Sequence, residues 1–154
     1  MTLTENARDS FVLVHIGDRR FAVAADAVSE LSPPVRLHTF PHTTDPVSGV
    51  IVRRGRIVPV CNASAVLGGR RSSANLFYLV AECHVAGSAE LLAIPVNGES
   101  ELVSGKIQPP DDTAPSYISG TLPAGADSIA VLDLGILAGT LRQPSLSSSS
   151  GVPL

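Results

Sequence analysis

The chain has 154 residues, 44% of them apolar and 16% charged, with a formal net charge of −3. That length holds one ordinary domain or two small barrels sharing an interface, and the composition is that of a folded chain rather than a disordered one. The acidic balance and the scarcity of rings (four Phe, two Tyr and no Trp) weigh against a nucleic-acid binder that neutralises phosphates and stacks on bases.

The opening MTLTENARDS lacks the basic-then-apolar layout of a signal peptide. No window nears the ~18 uninterrupted apolar residues of a membrane span, so a cytoplasmic protein with a flexible start over 1–9 is expected. FVLVHIGDRRFAVA predicts strands at 11–16 and 21–24 around the turn Gly17-Asp18-Arg19-Arg20. AADAVSEL, 24–31, predicts one short helical turn before Pro33-Pro34. The following segment is broken by Pro41 and Pro46. GVIVRRGRIVPV, 49–60, predicts a hairpin with strands at 50–52 and 57–60. Its apolar residues on both faces suggest a place in the middle of a small barrel.

Residues 63–67 form a short helix or prolong the strand, stopped by Gly68-Gly69. GGRRSSAN, 68–75, is the clearest internal punctuation. It divides a folded body over 10–139 into subdomains at 10–68 and 75–139, between which strands can exchange. After it come a hairpin from 76–81 and 91–96, a strand at 102–107, the loop QPPDDTAPS, strands at 117–122 and 128–132, and a helical turn at 133–138. The Ser-rich tail QPSLSSSSGVPL, 143–154, is too polar to bury a core and is expected to be disordered. No strict sequence repeat is visible. Many short, evenly spaced strands indicate a mostly β barrel or sandwich protein.

The chain is poor in reactive motifs. His38 and His42 are four apart, the spacing of two ligands on a helix, but Pro41 between them breaks that helix. Cys83-His84 has no third and fourth ligand at a useful spacing. Cys61 follows IVPV in a strand, where a buried, inert thiol is expected. Asp111-Asp112 and Glu99/Glu101 read as solvated loop carboxylates, and no nucleophile elbow or phosphate loop occurs. No metal, cofactor or catalytic residue is therefore expected. The competing class is a small-ligand or metal-dependent enzyme using Cys61, His38 or His42.

Gly17 with Phe21-Ala22-Val23, then Val28-Ser29-Glu30-Leu31, then the whole of GVIVRRGRIVPV, resembles the CheW-like chemotaxis coupling proteins. That family shows V-x-E-I about twenty residues before G-V-I-N-L-R-G-x-I-V-P-V. Ala93-Ile94-Pro95-Val96-Asn97-Gly98, Ile107-Gln108-Pro109-Pro110, Tyr117-Ile118-Ser119-Gly120 and residues 129–137 follow in the family's order. The resemblance covers about residues 10–139. It departs where Val52-Arg53 replaces N-L, Cys61-Asn62-Ala63-Ser64 replaces V-D-L-R, Asn97 replaces an acidic residue and Pro46 replaces a bulky one.

The resemblance implies two packed SH3-like five-stranded β-barrels without catalytic activity. It implies partners too: the cytoplasmic tip of chemoreceptors and the regulatory domain of a CheA-type histidine kinase, with no nucleic acid and no membrane insertion. The family's ion pair maps onto Glu30 and Arg54, and its receptor groove onto Val28, Glu30, Arg54 and Gly55. Arg53 and Arg56 are then expected to be solvated turn residues. For the kinase surface the apolar positions Val12, Val14, Val47, Val50 and Val52 are the candidates. The departures bear on the partners more than on the fold, so the pathway served is flagellar chemotaxis or another, such as twitching motility.

Overall fold

The computed structural model describes residues 9–39, 46–67, 76–98 and 100–142. His42, Glu99, the segment 68–75 and the tail 143–154 lie outside them. Ten strands and two short helices follow one another: β1 (Asp9–Ile16), β2 (Arg19–Ala24), β3 (Val28–Ser32), β4 (Val47–Arg53), β5 (Arg56–Cys61), α1 (Ala63–Val66), β6 (Phe77–Val85), β7 (Ser88–Val96), β8 (Ser100–Gly105), β9 (Ile118–Ala124), β10 (Asp127–Leu132) and α2 (Leu134–Arg142). The strands form two five-stranded sheets, ordered β8-β1-β2-β10-β9 and β3-β6-β7-β5-β4.

The helical turn expected over 24–31 is a single 3-10 turn, Ala25–Ala27; Val28 onward is strand, paired with β6. The hairpin expected from 76–81 and 91–96 is longer than that, its strands continuing through 82–85 and 88–90. Its turn is only Ala86-Gly87, both at positive φ, and the flanking strands run nine residues each. The 49–60 hairpin is not central either: β5 is internal, while β4 ends its sheet.

The strands of the exchanged hairpins, β1, β2, β6 and β7, have two buried faces, and each face serves a different core. In β1, Phe11 and Leu13 pack inside the first barrel with Ala22, Leu122, Ile129 and Val131. The alternate residues Val14 and Ile16 join a core between the barrels that includes Phe21, Val23, Leu79, Leu92 and Ile94. The second barrel is filled by Ile51, Val58, Val60, Tyr78, Val80 and Ala93. This division follows from the period-2 alternation of a strand. It explains why these strands read as continuous apolar runs.

The two sheets divide the chain differently from a cut at 68–75. The units β1–β5 and β6–β10 repeat one topology, and they exchange their first hairpins: β1–β2 pairs with β8 and β10, and β6–β7 pairs with β3 and β5. An offset of 71 residues relates β4 to β9, β5 to β10 and the start of α1 to that of α2. It also relates single bonds. Asn62 N–H donates to the Pro46 carbonyl at 2.8 Å and Asp133 N–H to that of Tyr117 at 2.7 Å. Each barrel closes through a bridge beyond its end strand, His38 to Val50 in one and Gln108 to Thr121 in the other. At each bridge a glycine, Gly49 or Gly120, lets the backbones touch; a Cβ there would strike the carbonyl oxygen of His38 or Gln108.

Candidate interaction site

The second barrel runs from β3 at one end of its sheet to β4 at the other, so these two strands flank its seam. Glu30 stands on β3 opposite Val80, a residue of the barrel interior. On β4 the interior positions alternate through Ile51 to Arg53. Both charged side chains therefore reach the seam from their own strands. There Arg53 donates from Nε to Glu30 Oε2 at 2.8 Å and from Nη2 to Oε1 at 2.9 Å. The parallel pair of bonds is the geometry that a planar guanidinium and a carboxylate favour.

The expected ion pair between Arg54 and Glu30 is present but long, and the expectation that Arg53 is a solvated turn residue is corrected: Arg53 is the main partner. Arg54 reaches Glu30 Oε1 only at 3.8 Å, and its side chain is 79% exposed against 24% for Arg53 and 16% for Glu30. The reason is the turn. Arg53 and Arg56 are the last register pair of the hairpin. That leaves Arg54 and Gly55 as its two central residues, with φ of 54° and 77°. These are the angles of a type I′ turn, which carries the first turn residue away from the strand's inner face. The signal was present in the sequence: Arg53 lies two residues after the core residue Ile51, and Arg54 lies three after it.

The hydrogen bonds from Arg53 hold the Glu30 carboxyl below its ordinary value of 4.5, against an upward push from partial burial; the charge of Arg54 adds to the lowering. The same contact raises the Arg53 guanidinium.

Other sequence candidates fall in separate places. Val28 is half-buried, two residues before Glu30, and packs against the inter-barrel core. Val12 and Val47 are also half-buried against that core. Val50 is half-buried and bridged through its backbone to His38. Val52 is half-exposed. Val14 is corrected: it is wholly buried between the barrels and has no surface to offer a partner. Sequence reasoning missed Ile57, the most exposed large apolar side chain among the described residues at 70%. It faces Val52 across the hairpin.

Of the three residues considered for nucleophilic chemistry, Cys61 and His38 are among the described residues and His42 is not. Cys61 is fully buried, and desolvation pushes its thiol up to about 12, where the thiolate is negligible at neutral pH. His38 spends its backbone groups on the bridge to Val50. Among the described residues no three His, Cys, Asp or Glu side chains converge as a metal site.

Comparison with known proteins agrees with the architecture. No curated protein matches the sequence. A solved structure, described as the crystal structure of scaffolding protein TtCheW from Thermoanaerobacter tengcongensis, matches with a TM-score of 0.75 over 89% of this chain and 92% of that one. At 18% identity that likeness speaks for the fold. The family model for the CheW-like domain matches residues 10–140. Running through both barrels and the exchanged strands that join them, this match shows that the chain belongs to the CheW-like domain family.

Proposed function

We propose that the protein is a non-enzymatic adaptor coupling the cytoplasmic tip of chemoreceptors to the regulatory domain of a CheA-type histidine kinase. The observation that carries this reading is the family match across both barrels. The structural relative TtCheW is itself described as a scaffolding protein. The receptor tip engages the seam beside Val28, Glu30, Arg54 and Gly55, with Arg53 holding Glu30 in place. The kinase domain is met by the half-buried or exposed valines Val12, Val47, Val50 and Val52. No described helix is long and apolar enough to cross a membrane. In this reading the protein joins the receptor array from the cytoplasmic side through its partners. The pathway is flagellar or another such as twitching motility.

The test is co-sedimentation of the purified protein with membranes carrying its chemoreceptor, with its kinase added. Wild type should enter the pellet only when the membranes carry the receptor. Arg53→Glu, which sets two carboxylates against each other at the seam, should abolish that. Adding Glu30→Arg should restore it at least partly. Wild-type protein that never enters the pellet would end the adaptor reading.

A further inference from the structure

Towards its turn, the outer face of the β4–β5 hairpin is apolar and largely uncovered by the described residues. Val52 and Ile57 are direct cross-strand partners, 50% and 70% exposed. The fold does not demand this. The 71-residue offset supplies an internal control, because β9–β10 is the same hairpin on the same scaffold. Where β4–β5 has Val52, Arg53, Arg54, Gly55, Arg56 and Ile57, β9–β10 has Pro123, Ala124, Gly125, Ala126, Asp127 and Ser128. One hairpin carries only small side chains and proline, with Asp127 and Ser128 where the other has Arg56 and Ile57. The other pairs two aliphatic side chains with cations.

The charges select what binds. Arg54 and Arg56 are exposed on the turn, and Arg56 makes no ion pair among the described residues. They form a cationic tip on a chain of net charge −3. Guanidiniums beside an aliphatic pair match carboxylates beside aliphatic side chains: the apolar centre gives affinity, and the rim charges give orientation and rate. The face carries no ring on which a base could stack.

We propose that the outer face of the β4–β5 hairpin, Val52 beside Ile57 with Arg54 and Arg56 at its tip, docks an acidic, aliphatic segment of a partner protein. The proposal rests on the adaptor reading and names the chemistry of one of its two contacts. Ile57 is the anchor, and Arg56 is the charge that fixes the segment's direction.

The sister hairpin supplies the test variants. Ile57→Ser and Arg56→Asp place at each position the residue that the same scaffold carries at Ser128 and Asp127, so both should fold with little change in Tm. Binding of the full chain to the purified cytoplasmic fragment of its chemoreceptor, and to the purified regulatory domain of its kinase, is measured by calorimetry at several salt concentrations. Ile57→Ser should weaken binding to at least one of these probes by about tenfold or more. Arg56→Asp should weaken the same contact by a similar factor and flatten its salt dependence.

If wild type binds and both variants bind both probes within about twofold of it, the docking proposal is overturned while the adaptor reading stands. If wild type binds neither probe, the adaptor reading fails and this partner fails with it. Two alternatives are read in the same experiments. A wild-type dimer that Ile57→Ser turns into a monomer in sedimentation would make the face a self-interface. Binding to phosphatidylglycerol vesicles that Arg56→Asp abolishes would make it a lipid site. Either result overturns the proposal.

Discussion

Arg53 and Arg54 are neighbours of the same type, yet the fold gives them opposite tasks. Arg53 lies on the strand face that carries Ile51 and closes the seam on Glu30; Arg54 occupies a left-handed turn position and points to solvent. Family resemblance selects Arg54 as the pairing residue, and counting by twos from Ile51 selects Arg53. The local parity of the strand decides, because a side chain cannot change faces without a change of register. Arg53→Met should lower Tm measurably, and Arg54→Met should leave it nearly unchanged, as expected of an exposed ion pair. The effect is also pH-dependent. Glu30 has a lowered pKa in the folded state, so its contribution is complete above the ordinary carboxylate range near 4.5 and is lost as pH falls through the lowered value. Denaturation curves of wild type and Arg53→Met should therefore converge on acidification; a gap that stayed constant down to the most acidic folded conditions would refute the pairing.

Among the elements, hairpins were legible where a turn dipeptide or a run of alternating apolar residues marked them, as at Gly17-Asp18 and Arg54-Gly55. β3 was not legible: VSEL carries helix formers, and its strand state comes from pairing with β6, fifty residues later. The same holds for the ends of β6 and β7, where Glu82, His84 and Glu90 stay in register across a tight turn. α2 extends past the helical turn expected at 133–138 because its apolar side, Leu134, Leu137, Ala138 and Leu141, belongs to the inter-barrel core. Asp133 starts it, accepting the Ile136 N–H at Oδ1 at 3.0 Å.

The barrel closures rest on smaller features. Gly49→Ala and Gly120→Ala should each cost about 1–3 kcal/mol, because the added methyl group meets a bridge carbonyl that holds a ladder bond and cannot retreat freely. Urea unfolding followed by circular dichroism would show it. Gly139→Ala, where a Cβ meets nothing within 4 Å, is the control and should be neutral or slightly stabilising.

For the whole molecule, the cores explain why the division into halves was only partly readable. The halves are repeats, but the 71-residue offset preserves hydrogen bonds and burial rather than residue identity, so Ile51 answers to Leu122 and Val58 to Ile129. A strand position asks for an apolar side chain of fitting size, and many choices satisfy that. The largest core lies between the barrels, and the exchanged hairpins line it from both sides. Leu79→Ala, at a wholly buried position in that core, should cost about 2–5 kcal/mol in denaturant unfolding, and it should loosen both barrels in one transition. Expressed separately, residues 1–70 and 71–154 should each lack a cooperative transition, and co-expression should recover one. A half that melted cooperatively alone would contradict the exchange.

The exchanged hairpins also impose an order on synthesis. β1 and β2 are complete once residue 24 has left the ribosome, but their partners β8 and β10 end at residues 105 and 132. At about 5–20 residues per second, the N-terminal hairpin waits on the order of ten seconds with Phe11, Leu13 and Ala22 uncovered. During that interval the first hairpin of a neighbouring nascent chain is an equally good partner for β8 and β10. The route to a swapped dimer is therefore open during translation and closes when the last strand arrives.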